Sequence, residues 1–104
     1  MFKKKTYHFY ADNGHGWLKV KKSDLVELGI ENEITNYSFE NGDYAFLEED
    51  SDTYRFFDAY RKKHNIVNAT RLSDVFNIKE HKSNYSRIRS YWHYKKPMFI
   101  QQGR

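Results

Sequence analysis

At 104 residues, 31% of them charged and 38% hydrophobic, the chain is long enough for one domain with a single modest core. It has no cysteine, which excludes a disulfide scaffold, a thiolate zinc site and thiol catalysis together. The net charge of +4 is sorted into blocks: residues 1–22 hold six lysines against Asp12, residues 23–60 eleven acids against Arg55, and residues 61–104 eleven Lys and Arg against Asp74 and Glu80, an asymmetry that points to a charged partner.

Met1-Phe2-Lys3-Lys4-Lys5 begins like the basic region of a signal peptide, but Thr6 to Asp12 is no apolar h-region and no run approaches membrane-spanning length. A cytoplasmic, unanchored protein is the expectation. Lys3 to Tyr10 reads as a strand with Tyr7, Phe9 and Tyr10. Asp12-Asn13-Gly14-His15-Gly16 is a turn, and Trp17 to Lys21 resumes alternation with Leu18 and Val20 on one face. Ser23-Asp24 caps a short helix, with Glu27 completing a capping box and Gly29 as the stop. A second hairpin alternates Thr35, Tyr37 and Phe39, turns at Asn41-Gly42, and returns through Tyr44 to Leu47.

The main helix is predicted from about Asp52 to His64. Thr53, Phe56, Phe57 and Tyr60 share one arc, Asp58 and Lys62 form an i,i+4 pair facing away, and Asn65 stops the helix. Asn68 to Phe76 reads as a short strand or turn followed by a helical turn near Ser73. The segment Asn84 to Lys96 fits a helix with Tyr85, Ile88, Tyr91 and Trp92 on one arc, or a strand with Arg87, Arg89, Tyr91, His93 and Lys95 on one face; Pro97 ends it either way. Aliphatic residues are sparse, so nine Tyr, eight Phe and two Trp, each burying roughly 150–250 Å², must supply much of the core. The expected fold is α+β: a small antiparallel sheet of two hairpins packed on one main helix, with a short helix between the hairpins. Residues 1–104 form one domain, with residues 84–104 a basic-aromatic C-terminal segment.

Four stretches together resemble a known family. Gly14-His15-Gly16-Trp17-Leu18-Lys19-Val20, then Leu28-Gly29-Ile30 with Ile34 and Tyr37-Ser38, then Tyr44 to Asp50, and Ile88-Arg89-Ser90-Tyr91 resemble small uncharacterised bacterial, plasmid and phage domains. Those domains read GHGWL-x-V, LGI, I-S-x-YS, YLEED-x-D and IRSY. Thr35-Asn36 departs from that pattern, as does Ser51, where the family often has cysteine. The resemblance implies a mobile-element context and no particular chemistry. Val67-Asn68-Ala69-Thr70-Arg71-Leu72 is similar to the core of phage KilA-N DNA-binding domains over those few residues only, which makes Arg71 a secondary candidate.

His15, between two glycines and before Trp17, has the setting of a general base or phosphate contact, with Glu48, Glu49 or Asp50 to orient it. A tight turn with an exposed imidazole explains the same residues, and one histidine without a fixed partner is no catalytic constellation. Glu48, Glu49, Asp50 and Asp52 lack EF-hand spacing and precede the main helix, where acids offset its positive end. The five histidines make no metal pattern, and there is no P-loop, GxGxxG or GxSxG, so neither a metal nor a cofactor is expected.

What remains is Arg87, Arg89, Tyr91, Trp92, Tyr94, Lys95 and Lys96, cations to neutralise phosphates and rings to stack on bases. The first expectation is a non-enzymatic binding protein of mobile-element type that engages nucleic acid or a nucleic-acid-processing complex through these residues, with His15 and Trp17 secondary. A protein-directed inhibitor of a host defence system is the alternative, since Trp, Tyr and Arg also dominate protein interfaces. A small hydrolase or nuclease using His15 is the third.

Overall fold

Alternation of apolar residues drives the strands. A computed structural model, describing residues 3–97, places them in β1 (Thr6–Ala11), β2 (Gly16–Lys21), β3 (Phe39–Asn41), β4 (Tyr44–Glu48), β5 (Asn77–Lys82) and β6 (Trp92–His93). Helices α1 (Lys22–Glu27), α2 (Asp52–Lys63) and α3 (Leu72–Val75) and a 3-10 turn at Arg87–Ser90 complete the order. The fold is α+β, as predicted, but its sheet is larger than two antiparallel hairpins. Six strands run β5-β1-β2-β4-β3-β6, and β5 lies parallel to β1, with His8 opposite Lys79 and Tyr10 opposite His81. β5 went unpredicted because Asn77-Ile78-Lys79-Glu80-His81-Lys82 has one apolar residue; backbone pairing to β1, not a buried side-chain face, holds it.

One face of the sheet meets the helices. Tyr7, Leu18, Val20, Ala45 and Leu47 pack with Phe56, Phe57 and Phe76, and the Tyr7 ring stands edge-on to both Phe56 and Phe76. The predicted α2 arc is the buried one, with Tyr60 half-buried at its border, and Asp58 bridges Lys62 at 3.1 Å. The second face holds a smaller cluster of Trp17, Phe46 and Ile88, bordered by Tyr10, Phe39, Tyr44 and Tyr91.

Local predictions hold at several ends and shift at others. Gly29 (φ +72°) and Asn65 (φ +55°) take the left-handed conformation that ends a helix. α1 starts at Lys22 without a side-chain cap, so Asp24 lies inside its first turn, where it accepts a 3.5 Å bond from the Tyr7 hydroxyl. The hairpin turn slides by one residue: Asn41 pairs with Tyr44, and Gly42-Asp43 form the loop. Thr35 and Tyr37 never join β3. The buried Asp52 carboxylate instead accepts bonds from the Thr35 N–H and hydroxyl (3.0 and 2.7 Å) and the Ser38 hydroxyl (2.6 Å). Of the acids before α2, Glu48 caps it, accepting the N–H groups of Asp50, Ser51 and Asp52 at 2.6–3.0 Å. Residues 84–96 are neither the long helix nor the long strand, only the 3-10 turn and the two-residue β6. Residues 98–104 of the basic-aromatic segment lie outside the described residues.

Candidate nucleic-acid interface

The second face is shaped by a strap, residues 83–91, and the strap is tied down by Asp12. Ser83 N–H bonds to the Ala11 carbonyl (3.0 Å), continuing the β1 edge. The Asp12 carboxylate then accepts the Ser86 N–H (2.8 Å) and two guanidinium bonds, from Arg89 Nε (2.6 Å) and Nη2 (2.8 Å). It also accepts the N–H groups of Gly14 and His15, at 3.0 and 3.1 Å, which fixes the β1–β2 turn. The Arg89 guanidinium, and after it the Ser86 N–H, hold the Asp12 carboxyl far below the usual carboxylate range. Arg89 lies 5.4 Å from the Trp17 ring centre and 5.1 Å from that of Tyr85, a cation between two aromatic faces. Ile88 and Tyr91 seal the strap onto Trp17 and Phe46.

The strap divides the second face. Towards β5, the ring of His81 stacks on Tyr10 (centroids 4.6 Å apart, planes 15° apart) and on His8 (5.1 Å, 19°), and His8 Nδ1 lies 2.8 Å from His81 Nε2. In register, Lys19 and Lys79 flank His8 on either side, and Lys19 sits 4.1 Å over the Tyr44 ring. Partial burial, then His81 and the two lysines, lower the His8 pKa from its ordinary value. Beyond them a hollow of about 410 Å³ is lined by Lys5, Lys19, Lys21 and His8 among others, with Asp24 its one acid. Register puts Glu48 on this same face, but its oxygens are occupied capping α2. Glu80 follows Lys79 in β5 and so projects from the other face.

Towards β6 lies a cleft of about 520 Å³, lined by His15, Trp17, Tyr37, Phe39, Asp50 and His93 among others. Phe39 stacks on His93 (4.7 Å, 28°) and stands edge-on to Trp17 (6.0 Å, 70°). His93 Nδ1 lies 2.8 Å from the Asn36 carbonyl, so it donates there and Nε2 is left as the acceptor of the neutral ring.

The predicted residues part company. Arg87, Lys95 and Lys96 are exposed, and Trp92 is 82% exposed. Tyr94 is core: its hydroxyl donates to the Glu31 carbonyl at 2.6 Å, and burial pushes its pKa up to about 12. Tyr91 is half-buried against Phe46, and Arg89 is committed to Asp12. Trp17 is 2% exposed and His15 is exposed, and both line the cleft with Arg89. Arg71 lies apart at the start of α3, 3.8 Å from Asp74. Sequence reasoning missed His8, Tyr10, Lys19, Lys79 and His81; their common signal, same-face positions of three neighbouring strands, becomes visible only once β5 is known to pair with β1. Among the described residues no group of three or more His, Asp or Glu side chains is placed to hold a metal, and no helix is long and apolar enough to cross a membrane. No protein-family model, curated protein or solved structure matches this chain.

Proposed function

We propose that the protein binds single-stranded nucleic acid across the second face of its sheet. One observation carries this reading: the stacked rings of Tyr10, His81 and His8, set between Lys19 and Lys79 on a face whose one strand carboxylate is engaged in capping. Rings on adjacent strands offer flat surfaces for unstacked bases, and lysines beside them neutralise the phosphates between those bases. A duplex hides its base faces, so the array favours single strands. Arg87 on the strap and Lys95 and Lys96 beyond β6 are exposed cations outside this array, while Arg89 contributes by holding the strap in place.

Fluorescence anisotropy with labelled single strands and the matching duplex, at low salt, tests it. The single strand is expected to bind more tightly, and Tyr10→Ala with His81→Ala to weaken it by at least about fivefold, the low end for one stacked base. Equal or absent binding of both forms contradicts the proposal. A second reading, a protein-directed inhibitor acting on a nucleic-acid-processing enzyme, is favoured by the exposure of Trp92 (82%) and Tyr85 (75%) beside Arg87. A host protein captured despite nuclease treatment, and lost with Trp92→Ala, would support it.

A further inference from the structure

The cleft beyond the strap is chemically unlike the lysine side. Its lining cation, Arg89, is already neutralised by Asp12, and the Asp50 carboxylate stands on its wall. A phosphate is therefore unwelcome there. Its aromatic walls are Phe39 stacked on His93, with Trp17 behind and Tyr37, 75% exposed, at the mouth. Three polar groups on that wall have no side-chain hydrogen bond among the described residues: the His15 imidazole, the Asp50 carboxylate and the acceptor Nε2 of His93. A volume of about 520 Å³ suits a small organic ligand.

Flat apolar walls with acceptors and a donor at the edge describe a planar, uncharged heterocycle. Carboxylates accept bonds from the amino groups of bases, and neutral imidazoles serve as donor or acceptor. Segments far apart in sequence meet at the cleft: His15 and Trp17 from β2 and its turn, Tyr37 from the loop before β3, Glu48 and Asp50 from the end of β4 and beyond it, and Arg89 from the strap. No shared contribution to the core explains the convergence, because His15, Tyr37, Asp50 and Ser51 are all exposed.

We infer that this cleft is a second binding site, which takes one unpaired nucleobase without its phosphate. The inference deepens the nucleic-acid reading and rests on it for the source of the base, either one nucleotide of a bound strand or a free nucleoside. A base stacks against Tyr37 and the Phe39–His93 pair, and its amino edge meets Asp50.

Trp92→Phe leaves Trp17 as the sole tryptophan, and all measurements are made in that background. Adenosine, guanosine, cytidine and uridine are titrated separately at up to millimolar concentration. Trp17 emission and the His15 and His93 ring resonances are followed. At least one nucleoside is expected to shift both saturably, and Tyr37→Ala to weaken it by about fivefold or more. Tyr37 is exposed, so that variant keeps its fold, which circular dichroism verifies. An oligonucleotide titrated against the Tyr37→Ala variant then separates the sources. Weaker strand binding by that variant assigns the site to a strand, and unchanged strand binding assigns it to free nucleosides. Emission and ring resonances that stay unmoved by all four nucleosides overturn the cleft site, even where strands bind the lysine side. Nucleosides that bind while strands do not would leave the cleft standing and remove the proposed function instead.

Discussion

Asp12 is the residue on which the second face depends. Its carboxylate gathers five donors, from Gly14, His15, Ser86 and twice from Arg89, and so joins the β1–β2 turn to a strap more than seventy residues later. Because these donors depress its folded pKa, the stability it contributes is present above the unfolded value of about 3.9 and is lost as pH falls below that value. Asp12→Asn is expected to melt at a lower temperature at pH 7. Its melting temperature should then fall less than that of the natural protein between about pH 4 and pH 2. Parallel acid profiles for the two proteins would contradict the assignment. His8 shifts in the same direction, at a higher pH. Its pKa is lowered in the fold, so stability is full above about pH 6.5 and declines as the unfolded chain takes up protons below it. Melting temperature is expected to drop between about pH 7 and pH 5 in the natural protein and to drop less in His8→Gln.

At the scale of elements, local stops and non-local ties behave differently. Gly29 ends α1 at φ +72° with nothing within 4 Å of a built Cβ, so Gly29→Ala meets only the backbone penalty, about 1–2 kcal/mol, readable by denaturant unfolding. At Gly16 a Cβ would overlap the Phe9 ring and the Glu49 carboxylate, and Gly16→Ala is expected to cost roughly 1–3 kcal/mol by forcing packed groups apart. Those stops were legible in the sequence, as were β1, β2, β4 and the apolar arc of α2, because each is set by spacing within a few residues. β3 was read too long, since Asp52 draws Thr35 and Ser38 away from the strand. Periodicity did not resolve residues 84–96 because their path is dictated by Asp12 and Trp17, far off in sequence. The same gap limits the site. His15 and Trp17 stood out locally, and Arg89 was noticed for its charge, whereas its partner was not visible. His8, Lys79 and His81 meet only through a parallel pairing that no local pattern announces.

For the whole molecule, the fold rearranges charge that the sequence keeps in blocks. Parallel pairing of β1 with β5 brings Lys79 from the last block beside His8 and Lys19 from the first, and Lys5 and Lys21 line the hollow next to them. Three of the eleven intervening acids are engaged locally: Glu48 caps α2, Asp52 is buried, and Asp58 pairs with Arg61 and Lys62. A mild net charge thus becomes a local basic, aromatic surface on the β5 side of the second face. The most direct test of that account is the salt dependence of single-strand binding, compared between the natural protein and Lys19→Gln with Lys79→Gln. Each lost phosphate contact should reduce the slope of log K against log salt by about 0.7, so the double variant is expected to show a slope shallower by about 1.4. An unchanged slope would place the phosphates elsewhere and contradict the assignment of this face.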